Sequence, residues 1–260
     1  MVLVWGLLIA GGQGSPVQGS NHLSDEEQPY PPDQTVKVVA STPWTAAFAR
    51  AAGAGQVDVL APYAMRHPPE YELRPSDLVR VSQADMVIYG GYERMTEKLL
   101  DAAEQNKAVR VQITTTHTRE ILEQSIMSIA QELGTQDYAR TSLDELFQLL
   151  DNWQTLGESL DLHTLPVVSH VFQVQLMEEL GVNVVGTFGP GPLEAGAIGE
   201  FTRIAPVLII DNWHNPVAGP LGQTLGNTPI LEFLNIPGHG GTDSLADVFK
   251  YNMLLMEQTR

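Results

Sequence analysis

The stretch "DYARTSLDELFQLLDNWQTLGESLDL", residues 137–162, decides the architecture. Leu143, Leu146, Leu149, Leu150, Trp153 and Leu156 recur at three- and four-residue spacing. That period gathers apolar side chains on one face of an α-helix. Neither Gly nor Pro interrupts the run before Gly157. The pattern predicts one long amphipathic helix near the middle of a chain of 260 residues.

On the N-terminal side of this helix, short β-branched runs alternate with helical segments. "VKVVAS" (36–41) reads as a strand and "TPWTAAFARAAGAG" as a helix, with Thr42 as N-cap and Pro43 at the first helical position. "QVDVLAP", "DMVIYGG" and "AVRVQIT" are further strands. "PSDLVRVSQA" reads as a short helix capped by Ser76 or Asp77, "YERMTEKLLDAAEQN" as a helix, and residues 118–133 as another. On the C-terminal side the alternation restarts with "LPVVSH", "VNVVGTFG", "PVLIIDNW" and "PILEFLN" as strands, and "TDSLADVFKYNMLLMEQTR" as a final amphipathic helix. Strand and helix in strict alternation imply parallel sheets. The expected fold is α/β: two lobes, each a parallel four-stranded sheet flanked by helices, joined by one long rigid helix. The expected boundaries are an N-terminal lobe over 35–137, a bridging helix over 138–162 and a C-terminal lobe over 163–260.

Composition narrows the function. Fourteen basic residues against thirty-one acidic ones leave a net charge of −17, which repels nucleic acid and anionic membranes. Cysteine is absent, so disulfides, thiolate metal sites and a Cys nucleophile are excluded, and a metal site must draw on His, Asp, Glu or water. The apolar start "MVLVWGLLIA" followed by Gly and Ser resembles a secretory signal without its positive region, and residues 20–34 form a Pro- and acid-rich tether. Residues 1–34 are therefore expected to lie outside the folded body, and the protein to be extracytoplasmic, in the periplasm or at the cell surface.

In parallel sheets, ligands bind beyond the carboxyl ends of the strands. His67 follows the second strand, His117 follows the fourth, and His170 ends the first strand of the second half. "DNWHNP" places Asp211 and His214 at another strand end, and Glu232 falls in or just after "PILEF". Imidazoles with a carboxylate suit Zn²⁺, or Mn²⁺ where carboxylates dominate. No nucleophile elbow, His-Glu-x-x-His or phosphate-cradling glycine loop occurs.

Several stretches together resemble the zinc/manganese solute-binding proteins of bacterial ABC transporters. "VKVVASTPWTAAFARAAG" is similar to that family's opening strand and helix. "EYELRPSDLVRVSQADMVIYGG" resembles its metal loop, Pro-Ser-Asp and following strand, "VVSHVFQ" its second-lobe Ser-His, and "TDSLADVFKYNM" its last helix. The resemblance implies a monomeric receptor that captures a divalent metal between its lobes and delivers it to a permease, without catalysis. It implies ligation by three histidines and a carboxylate, or by two of each. His170 matches the family's Ser-His ligand, His117 falls where the first lobe ends, and Glu232 lies near the last carboxylate. His214 has no counterpart and stands as a substitute for His117. The family's loop histidine is replaced by Pro69, so His67, two residues earlier, is expected to take its place on an extended Pro68–Pro69 segment, with Glu70 and Glu72 at the rim. The alternatives are the same architecture binding a siderophore or haem, and a metal-dependent hydrolase.

Overall fold

The structure, a computed structural model, describes residues 35–259. The signal-like and tether segments expected over 1–34 lie outside the described residues. The first sheet contains β1 (Lys37–Ala40), β2 (Gln56–Val59), β3 (Met86–Tyr89) and β4 (Val109–Gln112), ordered β2-β1-β3-β4 and parallel throughout. The second contains β5 (Val167–His170), β6 (Val184–Phe188), β7 (Leu208–Asn212) and β8 (Ile230–Phe233), ordered β6-β5-β7-β8 and again parallel. The helices α1 (Pro43–Ala51), α2 (Pro75–Val81), α3 (Thr96–Gln105) and α4 (Arg119–Leu133) accompany the first sheet. The helices α6 (Val174–Glu179), α7 (Ala195–Ile204) and α8 (Gly219–Leu225) accompany the second. The fold is the two-sheet α/β arrangement expected.

Between the sheets runs α5 (Gln136–Ser159), 24 residues long. Leu143, Leu146, Leu150, Trp153 and Leu156 are buried along it, as the spacing predicts, and Leu149 is half-buried. Its apolar face meets α4 and α9 (Leu245–Glu257), and α9 also reaches back to α1 of the first half. A single apolar cluster therefore runs from Val38 and Ile88 in the first sheet, through Trp153, to Val167 and Phe233 in the second. A shared core of this kind couples the two sheets mechanically, because close-packed interiors resist continuous deformation. Truncating Trp153, whose ring lies 5.5 Å from that of Phe233, would cost about 3–5 kcal/mol.

Local signals near the site differ from the sequence reading in instructive ways. Thr42 caps α1 in a reciprocal box with Thr45, and Pro43 opens the helix, as expected. Helix α2, however, is capped neither by Ser76 nor by Asp77. Pro75 presets the helical φ and starts the helix early, so Asp77 sits in its first turn and accepts the Arg74 N–H at 2.7 Å. Helix α3 begins at Thr96 rather than near Tyr92. The preceding turn is held by Glu93, whose carboxylate accepts from Gly90 N and Gly91 N, both at 2.7 Å.

The loop after β2 also departs from expectation. Pro68–Glu70 form one 3₁₀ turn rather than an extended run. The first positions of a helical turn need no N–H donor, so two prolines fit there as well as in a strand. His67 sits just before the turn with φ −121° and ψ 71°, and its carbonyl accepts from Glu70 N at 3.0 Å. Arg94 N donates to Pro69 O at 2.8 Å and anchors the turn to the first lobe.

Candidate functional site

A cavity of about 430 Å³ opens between the carboxyl ends of the two sheets. The first half lines it with Trp44, Arg66, His67, Tyr92 and His117. The second half adds Phe172, Gln173, His214, Asn215 and Asn235, with Asn212 at its floor. Three of the five residues expected at the site, His67, His117 and His214, therefore share one wall system built from both lobes.

His117 is buried among aromatic rings, 5.2 Å from Phe249 and 5.5 Å from Trp44 between centroids. The Trp44 indole donates to its Nε2 at 2.9 Å. An indole N–H is only a donor, so Nε2 is the acceptor and the neutral ring carries its proton on Nδ1. Burial pushes the imidazolium down to about 3. His214 follows β7 and is also buried, with its backbone N–H given to Asn212 Oδ1 at 2.9 Å. Burial is the main cause that lowers its imidazolium to about 3, with His67, Arg66 and His239 adding to the shift and Asn235 opposing it. His214 Nδ1 is buried without a hydrogen-bond partner. Proton competition at these two rings is thus moved well below the ordinary histidine range.

His170 does not line the cavity. It is fully buried at the end of β5 and lies behind the cavity wall formed by Val171 and Phe172. Phe172 N donates to its Nδ1 at 3.1 Å, which puts the ring proton on Nε2. That Nε2 is buried and unpartnered against Gly189, where φ is +82° and any Cβ would overlap the imidazole. A buried donor left unmade costs about 1–3 kcal/mol. Burial lowers the His170 pKa, partly offset by Asp211 and Asn215.

Glu232 is not brought to the cavity. It lies exposed within β8, in register with Asp211, on the wall of a separate pocket with Trp213 and His239. Period-two alternation turns its side chain away, and the residue that reaches the cavity beyond β8 is Asn235. The strand-end rule pointed to that position, because Asn235 rather than Glu232 lies past the last paired residue. Asp211 is also unavailable: its carboxylate accepts from Asn212 N and Ala218 N, each at 2.8 Å, and from Val217 N at 3.1 Å. Among the described residues no group of three or more His, Asp or Glu is arranged to hold a metal ion. The donor set that faces the cavity is imidazole, amide and phenol, which fits a borderline transition metal better than a hard oxygen-seeking ion.

Asn212, Asn215 and Asn235 were not singled out from the sequence. Asn215 and Asn235 carried a signal, their place after a strand. The Asn212 pairing is invisible without the fold: its Oδ1 accepts from His214 N and Asn215 N, and its Nδ2 donates to Asn235 Oδ1 at 2.7 Å.

Residues 38–164 match the family described as ZnuA, zinc-uptake complex component A, periplasmic. A comparison with curated protein sequences gives no match. The described fold is similar to solved structures at low identity. The laminin-binding protein Lbp of Streptococcus pyogenes is 15% identical with a TM-score of 0.67, over 88% of this chain and 100% of that one. FpvC from Pseudomonas aeruginosa, in complex with Mn²⁺, is 17% identical with a TM-score of 0.65, over 88% and 98%. A Zn(II)-bound variant of AdcAII from Streptococcus pneumoniae is 16% identical with a TM-score of 0.64, over 86% and 99%.

Proposed function

We propose, from the match of residues 38–164 to the ZnuA family and the shared fold, that the chain is a relative of the zinc/manganese solute-binding proteins and captures a divalent transition metal outside the cytoplasm. Delivery to an ABC permease, a monomeric state and zinc as the first choice of ion, with manganese second, belong to the same reading. The observation that supports it best is that imidazoles from both lobes line one cavity: His67 and His117 from the first, His214 from the second. Neutral imidazole is the form that ligates, and burial keeps His117 and His214 neutral. An anionic chain, at −17, draws cations towards it.

In this reading His67, His117 and His214 are the principal ligands, and they must draw together on the ion because they are not clustered around a metal position in this structure. His170 joins them only if its ring turns and releases Nδ1 from Phe172 N–H, which would also relieve the unpartnered Nε2. His117 must likewise exchange the Trp44 indole for the metal or ligate through Nδ1. Titration calorimetry with Zn²⁺ and Mn²⁺ tests the proposal. One tightly bound ion per chain supports it, and failure of both ions to bind at micromolar concentration overturns it.

A further inference from the structure

The charge on the cavity wall is unusual for a container of bare cations. Among the described lining residues there is no aspartate or glutamate, and the one permanent charge is positive, on Arg66. Glu232 and Asp211 face elsewhere or are consumed by backbone amides. A divalent ion desolvated here would have no counter-charge and a guanidinium for a neighbour. Burying an uncompensated charge is costly.

Two further observations point the same way. The first is size. About 430 Å³ is the volume of a small organic ligand's pocket and far exceeds one ion. Its walls mix Trp44, Tyr92 and Phe172 with the polar groups, as pockets for organic ligands do. The second is donor placement. Arg66 is held over the second lobe: its Nε donates to Trp213 O at 3.0 Å and its guanidinium stacks on the Trp213 ring at 5.0 Å. It makes no ion pair among the described residues, so its terminal N–H groups keep their capacity for a carboxylate. Asn235 accepts from Asn212 through its Oδ1, an orientation fixed by the backbone N–H groups that Asn212 Oδ1 accepts, so its Nδ2 is presented as a donor beside His214, with which its side chain also interacts.

We propose that the cavity takes its metal as a low-charge complex with a small carboxylate chelator, with imidazoles completing the metal's coordination and Arg66 and Asn235 binding the chelator's carboxylate. This rests on the metal-capture reading and specifies its substrate. The chelator brings the negative charge that the wall lacks. The net charge of −17 disfavours a strongly anionic complex, which limits the class to hydroxy- or amino-carboxylate chelates near neutrality. No bond is made or broken beyond exchange of metal-bound ligands.

The experiment uses Zn²⁺ alone, citrate alone, Zn²⁺ with excess citrate and Zn²⁺ with excess histidine, read by native mass spectrometry and calorimetry. The expected result is a ternary species containing protein, zinc and chelator, formed at least ~10-fold more tightly than protein with zinc alone. Arg66→Gln should weaken the ternary species roughly ten-fold, as expected for loss of one charge-assisted contact, while binding of Zn²⁺ alone stays equal or becomes tighter because a neighbouring positive charge is gone. Arg66→Lys should restore part of the loss, which a purely structural role in holding the lobes would not predict. If both chelators merely compete zinc away and the protein carries zinc alone, the chelate inference is overturned while metal capture stands. If no zinc-containing species forms with any probe, both fail.

Discussion

The two lobes carry the same sheet, ordered β2-β1-β3-β4 in one and β6-β5-β7-β8 in the other, yet they place their ligand-type residues on opposite strands. In a sheet of this order the chain reverses direction between the two central strands, and the crevice there is the usual ligand position. The second lobe uses it: His214 follows the central strand β7 and lines the cavity, while His170, the last residue of the central strand β5, does not line it. The first lobe closes it. Ser41 after β1 donates to Glu93 at 2.6 Å, and Glu93 also accepts from the amides of Gly90 and Gly91 after β3. Gly91, at φ +89°, holds a backbone conformation that other residues rarely adopt, with the Gln112 amide packed against it. The first lobe instead offers His67 and His117 beyond the outer strands β2 and β4. The cavity therefore receives its imidazoles from outer-strand ends of the first lobe and from a central-strand end of the second, with Trp44 and Tyr92 after the first lobe's central strands and Asn235 past the outer β8 beside them. Equal topology does not mean equal sites. The local hydrogen-bond chemistry at each strand end decides which ends remain open.

Removing one imidazole from each lobe should have the largest effect. His117→Ala and His214→Ala should each weaken zinc binding by roughly 100-fold or more, about 2.7 kcal/mol, with the fold retained by circular dichroism. A loss confined to one of the two, in calorimetry, would mean that the cavity is one-sided and that the comparison misassigns the other lobe. The double variant should show coupling, since both rings would hold the same ion.

The loop histidine should matter less. His67 is exposed on the cavity wall beside a rigid turn. His67→Ala is expected to cost about 10-fold in affinity, about 1.4 kcal/mol. Glu72, exposed and paired with Arg94 at 3.5 Å, and Glu232, in the separate pocket, should each change affinity less than about two-fold when replaced by Ala. A larger effect from Glu232→Ala than from His67→Ala would return the second lobe's carboxylate to the site and remove the contrast drawn above.

What was legible in the sequence divides along the same line. The Leu143–Leu156 spacing and the alternation of β-branched runs with capped helices carried the fold, because burial along α5 and in parallel strands leaves a periodic trace. Three of the proposed site residues, His67, His117 and His214, were visible as histidines near strand ends. Side-chain direction was not visible. Glu232 and Asn235 differ by three positions, and only the pleat and the end of the β8 ladder decide which one meets the cavity. His170 ends its strand as read, but the backbone N–H of Phe172 claims its Nδ1, a contact that no spacing rule announces. The Pro68–Pro69 pair suits an extended segment and a first helical turn alike, and the Arg94 anchor, 25 residues on, selects the turn.

The buried rings also predict a pH dependence. His117 and His214 stay neutral in the folded chain down to about 3, whereas in the unfolded chain they protonate below ~6.5. Between those values the unfolded state binds more protons, so stability is complete above pH ~6.5 and falls as pH drops towards 3. Denaturant titrations of the metal-free protein should show this decline. His117→Gln should flatten the slope even though its packing loss lowers stability at every pH. An unchanged slope would mean that His117 is reached by solvent and is not the closed, aromatic-packed counterpart of His214.

The smallest expected effect tests what holds the lobes at their fixed spacing. Arg119, at the start of α4, donates to Glu179 on α6 at 2.6 Å and to Asp151 on α5 at 2.5 Å. One side chain thus ties the first lobe, the bridging helix and the second lobe together, two residues after His117. Its worth is limited by exposure: the Asp151 side chain is 70% exposed, and such pairs contribute about 0.2–1 kcal/mol. The continuous core through Trp153 is the stronger constraint, since it is apolar, buried and shared by both sheets. Arg119→Ala should therefore lower stability by no more than ~1 kcal/mol and leave zinc affinity within about two-fold. Small-angle scattering with and without zinc should show the same slight compaction in the variant as in the parent chain. A ten-fold loss of affinity, or a compaction that grows when Arg119 is removed, would mean that the ion-pair strut rather than the core sets the cavity's width.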